Sequence, residues 1–298
     1  MALKYPNFKK MKKNTALSFL YIIIAYITAL YASKIILGFY DLDSLILDTL
    51  YADVVATVVI FIFSVLVNNS SVYDPYWSII PVPIAVYWAF QHPEGNQTRQ
   101  ILIIALILLW SLRLTINWIR SWPNLLHQDW RYSKLKEDTG IFYWPVSFLG
   151  IHLFPTLIVF LGMLPVYIGM SSTDPLNFVD FIGAGIVIIA VLVEYFADEQ
   201  LRTFKRTNTE KGANMDIGLW SKSRHPNYLG EILFWFGLFV FSFKYFINGD
   251  YWTSYGVIAM IILFRAISIP MMEKRLEKSK IGYKNYQKKV KALIPNLF

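Results

Sequence analysis

The sequence predicts an all-α protein, a polytopic transmembrane bundle of 7-8 helices. Apolar residues make up 56% of the 298 and the mean hydropathy is +0.44, which calls for lipid as the solvent. Long apolar runs recur along the chain, each able to cross roughly 30 Å of hydrocarbon as helix. The basic residues gather in alternate connections, as the positive-inside rule requires.

The apolar runs lie near 15–37, 45–67, 100–119, 146–170, 179–197, 228–247 and 252–271, and a shorter one, 78–90, contains Pro81 and Pro83. Counting the short run gives eight helices; treating it as re-entrant gives seven. The stretch "MALKYPNFKKMKKNTALSFLYIIIAYITALY" pairs a basic region with an apolar run longer than a signal-peptide core, so it reads as a retained first span. With a cytoplasmic N-terminus and eight crossings, the inside segments hold 23 of the 28 Lys and Arg. This orientation puts the C-terminal tail and the turn "SRHPN" on the cytoplasmic face. There is no internal repeat and no separable soluble domain, so an active site has to be built among helix ends.

Composition also excludes. With no cysteine there is no disulfide, thiolate nucleophile or Cys-ligated metal. His92, His127 and His152 lack metal-ligand spacing, and no metal is expected. The formal charge of +8 sits between hydrophobic spans, where it suits anionic headgroups or an anionic ligand; nucleic acid is not expected. The tryptophans Trp122, Trp130, Trp144 and Trp220 suit interfacial belts. No Gly-rich dinucleotide fingerprint is present, and "GAG" at 183–185 sits mid-span, as close helix packing would have it.

Polar residues inside the apolar runs carry the functional signal. Glu194, Asp198 and Arg202 follow i, i+4, i+8 and stack on one helix face. They make either an interfacial ion-pair ladder or the lining of a cytoplasm-facing cavity. Arg113, Asn117 and Arg120 share a face in "LRLTINWIR", and Arg265 lies within the last span. Two intramembrane arginines suit a polyanion held between helices, or else structural pairing with Asp74, Asp129 or Glu194. In "GLWSKSRHPNYLGE", Pro226 suits the first turn of a helix. Free backbone N–H groups, the helix dipole, Arg224 and His225 there make a phosphate-type anion site, or a lipid-phosphate site.

That string, with "EYFADEQLRTFK", "DPYWS", "LWSLRL", "QDWRY" and the tail "YKNYQKKVKALIPNLF", resembles the steroid 5-alpha-reductase-like membrane proteins of the DUF1295 branch over roughly residues 70–298. Residues 1–69 are then a basic tail and two added helices. The resemblance implies an NADPH-dependent reductase with a cofactor cavity open to the cytoplasmic face, and a flat lipophilic enone entering from the bilayer. It places Asp198, Arg202 and Glu194 near the cofactor and Asn227 at the nicotinamide end, with Tyr228 and Glu231 in the same string. Arg265 matches a phosphate- or ribose-contacting arginine, Arg113, Asn117 and Arg120 a second basic segment, and Tyr286 belongs to a closing tail. The sequence departs from the family where a ketone-polarising tyrosine is expected, at Trp110. The catalytic candidates are therefore Asp74 and Tyr76 of "YDPYW", with Trp110. An interfacial turn with belt aromatics would give the same "DPYW".

Two alternatives stay open. Isoprenylcysteine carboxyl methyltransferases also carry an "RHPxYxG" turn and an acidic, tyrosine-containing tail, echoed here by "MEKRLEKSKIGYKNY", although Met272 stands where a second glutamate is normal. The other is a non-enzymatic lipid-binding protein whose basic face grips headgroups. The expected home is a multi-pass position in the plasma membrane of a bacterium, or the endoplasmic reticulum of a eukaryote, with membrane lipids as neighbours.

Overall fold

A computed structural model describes residues 11–39 and 42–294. The basic stretch through residue 10 and residues 295–298, including the proline of "ALIP", lie outside the described residues. The longer helices are α1 (Thr15–Phe39), α2 (Leu45–Val67), α3 (Pro81–Gln91), α4 (Gln97–Ser121), α5 (Trp130–Thr139), α6 (Phe154–Ser171), α7 (Phe178–Thr207), α8 (Pro226–Val240), α9 (Tyr255–Ile262), α10 (Ile269–Ser279) and α11 (Tyr283–Lys289). Strands are absent among the described residues.

Among the described residues, six segments are long and apolar enough to cross a membrane: 15–39, 45–67, 97–121, 130–171, 178–207 and 251–279. The run expected at 78–90 forms α3, 11 residues long, and the run expected at 228–247 is divided between α8, 15 residues long, and a five-residue helix at Phe243–Ile247, so neither is one continuous helix of span length. The helices turn large apolar side chains outward; Ile27 is 63% exposed and Ile101 68%. Such faces belong against lipid chains.

Prolines shape two of the spans. Pro155 follows a π-helical turn at Phe148–Leu153, and Pro270 follows another at Leu263–Ser268. Proline offers no N–H to the carbonyl four residues back and its ring crowds that carbonyl, so the preceding turn widens. His152 lies in the first widened turn and Arg265 in the second.

The chain forms two compact units, residues 1–84 with 114–160, and residues 85–113 with 161–298. In the first, α1 packs on α2 through fully buried Ala25, Ala29 and Ala56. Tyr21 Oη donates to the Phe63 carbonyl at 2.8 Å and Ser33 Oγ to that of Ala52 at 2.8 Å. Apolar contact gains little between helices already surrounded by hydrocarbon, so small residues and hydrogen bonds hold such pairs.

In the second unit, α7 starts with a capping box, Asn177 and Asp180 satisfying each other's backbone N–H groups. Asp180 also takes a two-pronged bond from Arg99 of α4, Nε to Oδ1 at 2.8 Å and Nη2 to Oδ2 at 3.0 Å. Further along, α7 and α8 meet glycine to glycine: a Cβ on Gly183 would lie 3.0 Å from the Gly237 carbonyl. Gly185, its neighbour in "GAG", faces open space. At Gly230 a Cβ would strike the Glu194 side chain and lie 3.0 Å from the Ala190 carbonyl.

Gly230→Ala is therefore expected to lower stability by about 1–3 kcal/mol, the usual range for overpacking. Gly185→Ala, with open space for its methyl group, should not lower it and should raise it by up to about 1 kcal/mol. Thermal unfolding of both variants in detergent checks the contrast; equal midpoints would disprove the close approach.

Candidate functional site

The glycine seam brings three carboxyl groups around one guanidinium. Trp110 and Arg113 share a face of α4, Glu194 and Asp198 one of α7, and Glu231 and Trp235 one of α8, each pair three or four residues apart. Arg113 Nη2 stands 2.9 Å from Glu194 Oε2 and 3.9 Å from Glu231 Oε2, while Nη1 donates to Asp198 Oδ2 at 3.0 Å. Glu231 accepts two indole N–H bonds, from Trp110 at 3.1 Å and from Trp235 at 2.9 Å. The Trp110 ring also stacks on Phe234, centroids 4.3 Å apart. Glu194 and Glu231 are 1% and 4% exposed, and both indoles are fully buried. Arg113 Nε has no hydrogen-bond partner among the described residues. Trp110 thus occupies the expected tyrosine position as a donor, and its bond goes to a carboxyl of its own chain.

Two helical turns on from Glu194 along α7, half-buried Arg202 lies 3.4 Å from Glu199. Arg265, in the widened turn after α9, is exposed and makes no hydrogen bond or ion pair among the described residues.

The turn "SRHPN" does begin a helix, with Pro226 in its first turn. Its donors serve the tail. The backbone N–H of Arg224 bonds to the Lys291 carbonyl at 2.9 Å and that of His225 to Ala292 at 3.1 Å. Arg224 Nε and His225 Nε2 converge on Glu273 Oε1 at 2.7 and 3.0 Å, and Gln287 donates to Oε2 of the same carboxylate at 3.0 Å. The His225 ring stacks on Tyr228, centroids 5.2 Å apart, and Asn227 is half-buried between them in sequence. Tyr286 donates to the Trp220 carbonyl, and burial pushes its hydroxyl up to about 12, so it stays a neutral donor. Glu273 is the residue that organises this turn, and the methyltransferase-like tail motif was its signal.

The first unit holds Asp74, Tyr76, Asn117 and Arg120. Asp74 Oδ1 accepts from Tyr132 Oη at 2.7 Å. Burial, opposed by that bond and by Arg131, pushes the Asp74 carboxyl up to about 7. Tyr76 points to a different acid: it donates to Asp53 Oδ1 at 2.6 Å, and Asp53 is 3% exposed within α2. Asp53 Oδ2 has no hydrogen-bond partner among the described residues. Beside it, Tyr73, Thr156 and Thr57 link hydroxyl to hydroxyl, each step 2.8 Å. Asp53 is absent from the sequence candidates, although a lone acid in the run "YADVVATVVI" is the signal that selects Glu194.

A bundle of apolar helices with buried arginine–carboxyl and tyrosine–carboxyl groups defines an integral membrane protein built around polar sites. The DUF1295 family, described as proteins of unknown function, matches residues 60–290. The chain belongs to that family. It is also similar to an uncharacterized protein of Schizosaccharomyces pombe, 26% identical over 258 residues, which cover 78% of this chain and 75% of the relative. No solved structure matches.

Replacing Arg113 with Met leaves buried carboxyls without their counter-charge, and a loss of about 3–5 kcal/mol is expected. Denaturant or thermal unfolding in detergent measures it, and a loss below about 1 kcal/mol would refute the pairing.

For Asp74 the folded value of about 7 lies above its ordinary 3.8. Its contribution is fully present below about pH 4 and is lost as pH rises through about 7. Asp74→Asn should flatten that part of the stability–pH profile while still accepting from Tyr132. An unchanged profile would contradict the shift.

Proposed function

We propose that the protein is a membrane-embedded, NADPH-dependent reductase that saturates the C=C bond of a lipophilic α,β-unsaturated ketone taken from the bilayer. The observation that carries the reading is the cluster of Arg113, Glu194, Asp198 and Glu231 on packed apolar helices, because ionisable groups at membrane depth mark functional paths. The family's relation to steroid 5-alpha-reductase-like membrane proteins supports this reaction class.

The chain's own residues divide the task of holding such a cofactor. Three carboxyls around Arg113 make a poor phosphate site and a good acceptor site for ribose hydroxyls or a carboxamide. Phosphates in this reading fall to Arg202 and to exposed Arg265, with Asn227 toward the nicotinamide end. The bound cofactor supplies a hydride to the β carbon of the enone. The α carbon takes a proton, and the enolate oxygen needs a hydrogen-bond donor. Tyr76 on Asp53, and Asp74 on Tyr132, are hydroxyl–carboxyl pairs buried or half-buried in the first unit. The concentration of Lys and Arg in alternate connections supports a cytoplasmic C-terminus and cofactor entry from that face.

A second reading draws support from one observation: Arg224 and His225 of the "RHPNYLG" turn both meet Glu273 of the tail. That arrangement suits an S-adenosylmethionine-dependent methyltransferase, whose cofactor carries no phosphate.

Thermal protection of the detergent-solubilised protein by NADPH, NADH and S-adenosylmethionine separates the readings. NADPH at about a hundredfold excess over Kd should stabilise by roughly 2.7 kcal/mol. Arg265→Ala should weaken that protection. Protection by S-adenosylmethionine alone, lost in Glu273→Gln, would replace the reductase with the methyltransferase; protection by none of the three would leave a lipid-binding protein.

A further inference from the structure

The segment from 274 to 291 is strongly basic and unusually presented. Seven of its eight Lys and Arg are exposed, against one exposed acid, Glu277. The acid that precedes it, Glu273, is already occupied by Arg224 and His225. Charge in this segment is therefore not balanced from within.

An apolar residue stands in the middle of that charge. Ile281 joins α10 to α11 and is 69% exposed. Its backbone is fixed rather than loose: Ile281 N–H donates to the Gly212 carbonyl at 2.8 Å, and its own carbonyl accepts from Asn214 Nδ2 at 2.5 Å. Lys280 Nζ adds a bond to the Ala213 carbonyl at 2.8 Å. These bonds tie the turn to the loop after α7, which carries Ile217, itself 63% exposed. α11 then buries Tyr283 and Tyr286 and leaves Lys284, Lys288 and Lys289 in solvent. An exposed isoleucine on a hydrogen-bonded turn, followed along α11 by exposed lysines, is what a surface needs to enter a headgroup layer: the side chain inserts and the charges meet lipid phosphate.

We propose that this face, α11 with the Lys280–Gly282 turn and the loop it is bonded to, is a docking surface for anionic phospholipid headgroups. Its exposed residues, Ile281, Lys284, Lys288 and Lys289, are distinct from those assigned above to the cofactor, Tyr286 being on the buried side of α11, and it stands whether the protein is a reductase or a methyltransferase. Its charge selects anionic over zwitterionic lipid, and Ile281 makes part of the contact insensitive to salt.

The test uses the full-length protein in detergent, titrated with phosphatidylglycerol or phosphatidylcholine, with the unfolding midpoint as readout at low and high salt. Phosphatidylglycerol should raise the midpoint more than phosphatidylcholine, and salt should shrink the difference. The triple variant Lys284→Gln, Lys288→Gln, Lys289→Gln should bind phosphatidylglycerol about 100-fold more weakly, near fivefold per charge, with its protection by NADPH unchanged. Ile281→Ser should weaken the part that survives high salt. Equal response to the two lipids, an unaltered response in the triple variant, or displacement of phosphatidylglycerol by NADPH would each overturn the proposal. If the triple variant proves unstable even in phosphatidylcholine, Ile281→Ser and the salt dependence of the unaltered protein still decide it.

Discussion

Arg113 sets the terms for the second unit. A guanidinium among apolar helices has to be matched, and here Glu194, Asp198 and Glu231 all lie within 4 Å of it. Carboxyls on two different helices reach the same guanidinium only if those helices run close together. The glycines of α7 and α8 allow that approach, and Gly230 does so at the level of Glu194. Packing and electrostatics are one constraint at this point: remove the small residue and the charge loses its place, remove the charge and the close approach encloses uncompensated acids.

The first unit solves the same problem with hydroxyls. Asp53 has no cation beside it among the described residues; its visible partner is Tyr76, in a region where tyrosine, threonine, serine and histidine supply one another's hydrogen bonds. Neutral donors ask less desolvation than charged ones. Unit one thus stores its polarity as a network, and unit two as an ion cluster.

Sequence reasoning reaches the helical membrane class because hydropathy is a property of single residues summed over a window. It also singles out Arg113 of α4 and Glu194 and Asp198 of α7, since spacing along one helix is written in the chain, but Asn117 and Arg120, expected on the Arg113 face, belong to the other unit. It leaves the count between seven and eight, because apolar character does not distinguish a helix bathed in lipid from a short one wrapped by protein; Phe234, Trp235 and Leu238 of α8 are fully buried. Partners across helices are beyond a one-dimensional pattern. That Tyr76 serves Asp53, or that Trp110 serves Glu231, follows from packing alone. The "SRHPN" turn was legible as a helix start, but not as a place where a later segment supplies the acceptors.

That last contact orders the chain in time. Arg224 gives its guanidinium to the carbonyls of Gln287 and Val290, 63 and 66 positions downstream, and its backbone to Lys291. Until those residues are made, Glu273 can already meet the Arg224 and His225 side chains, while the backbone N–H groups of the turn still lack the carbonyls of Lys291 and Ala292. The head of α8 and the segment at 287–292 are thus one structural unit despite their separation in the chain, and a truncation before residue 287 removes these acceptors from a helix it does not otherwise touch.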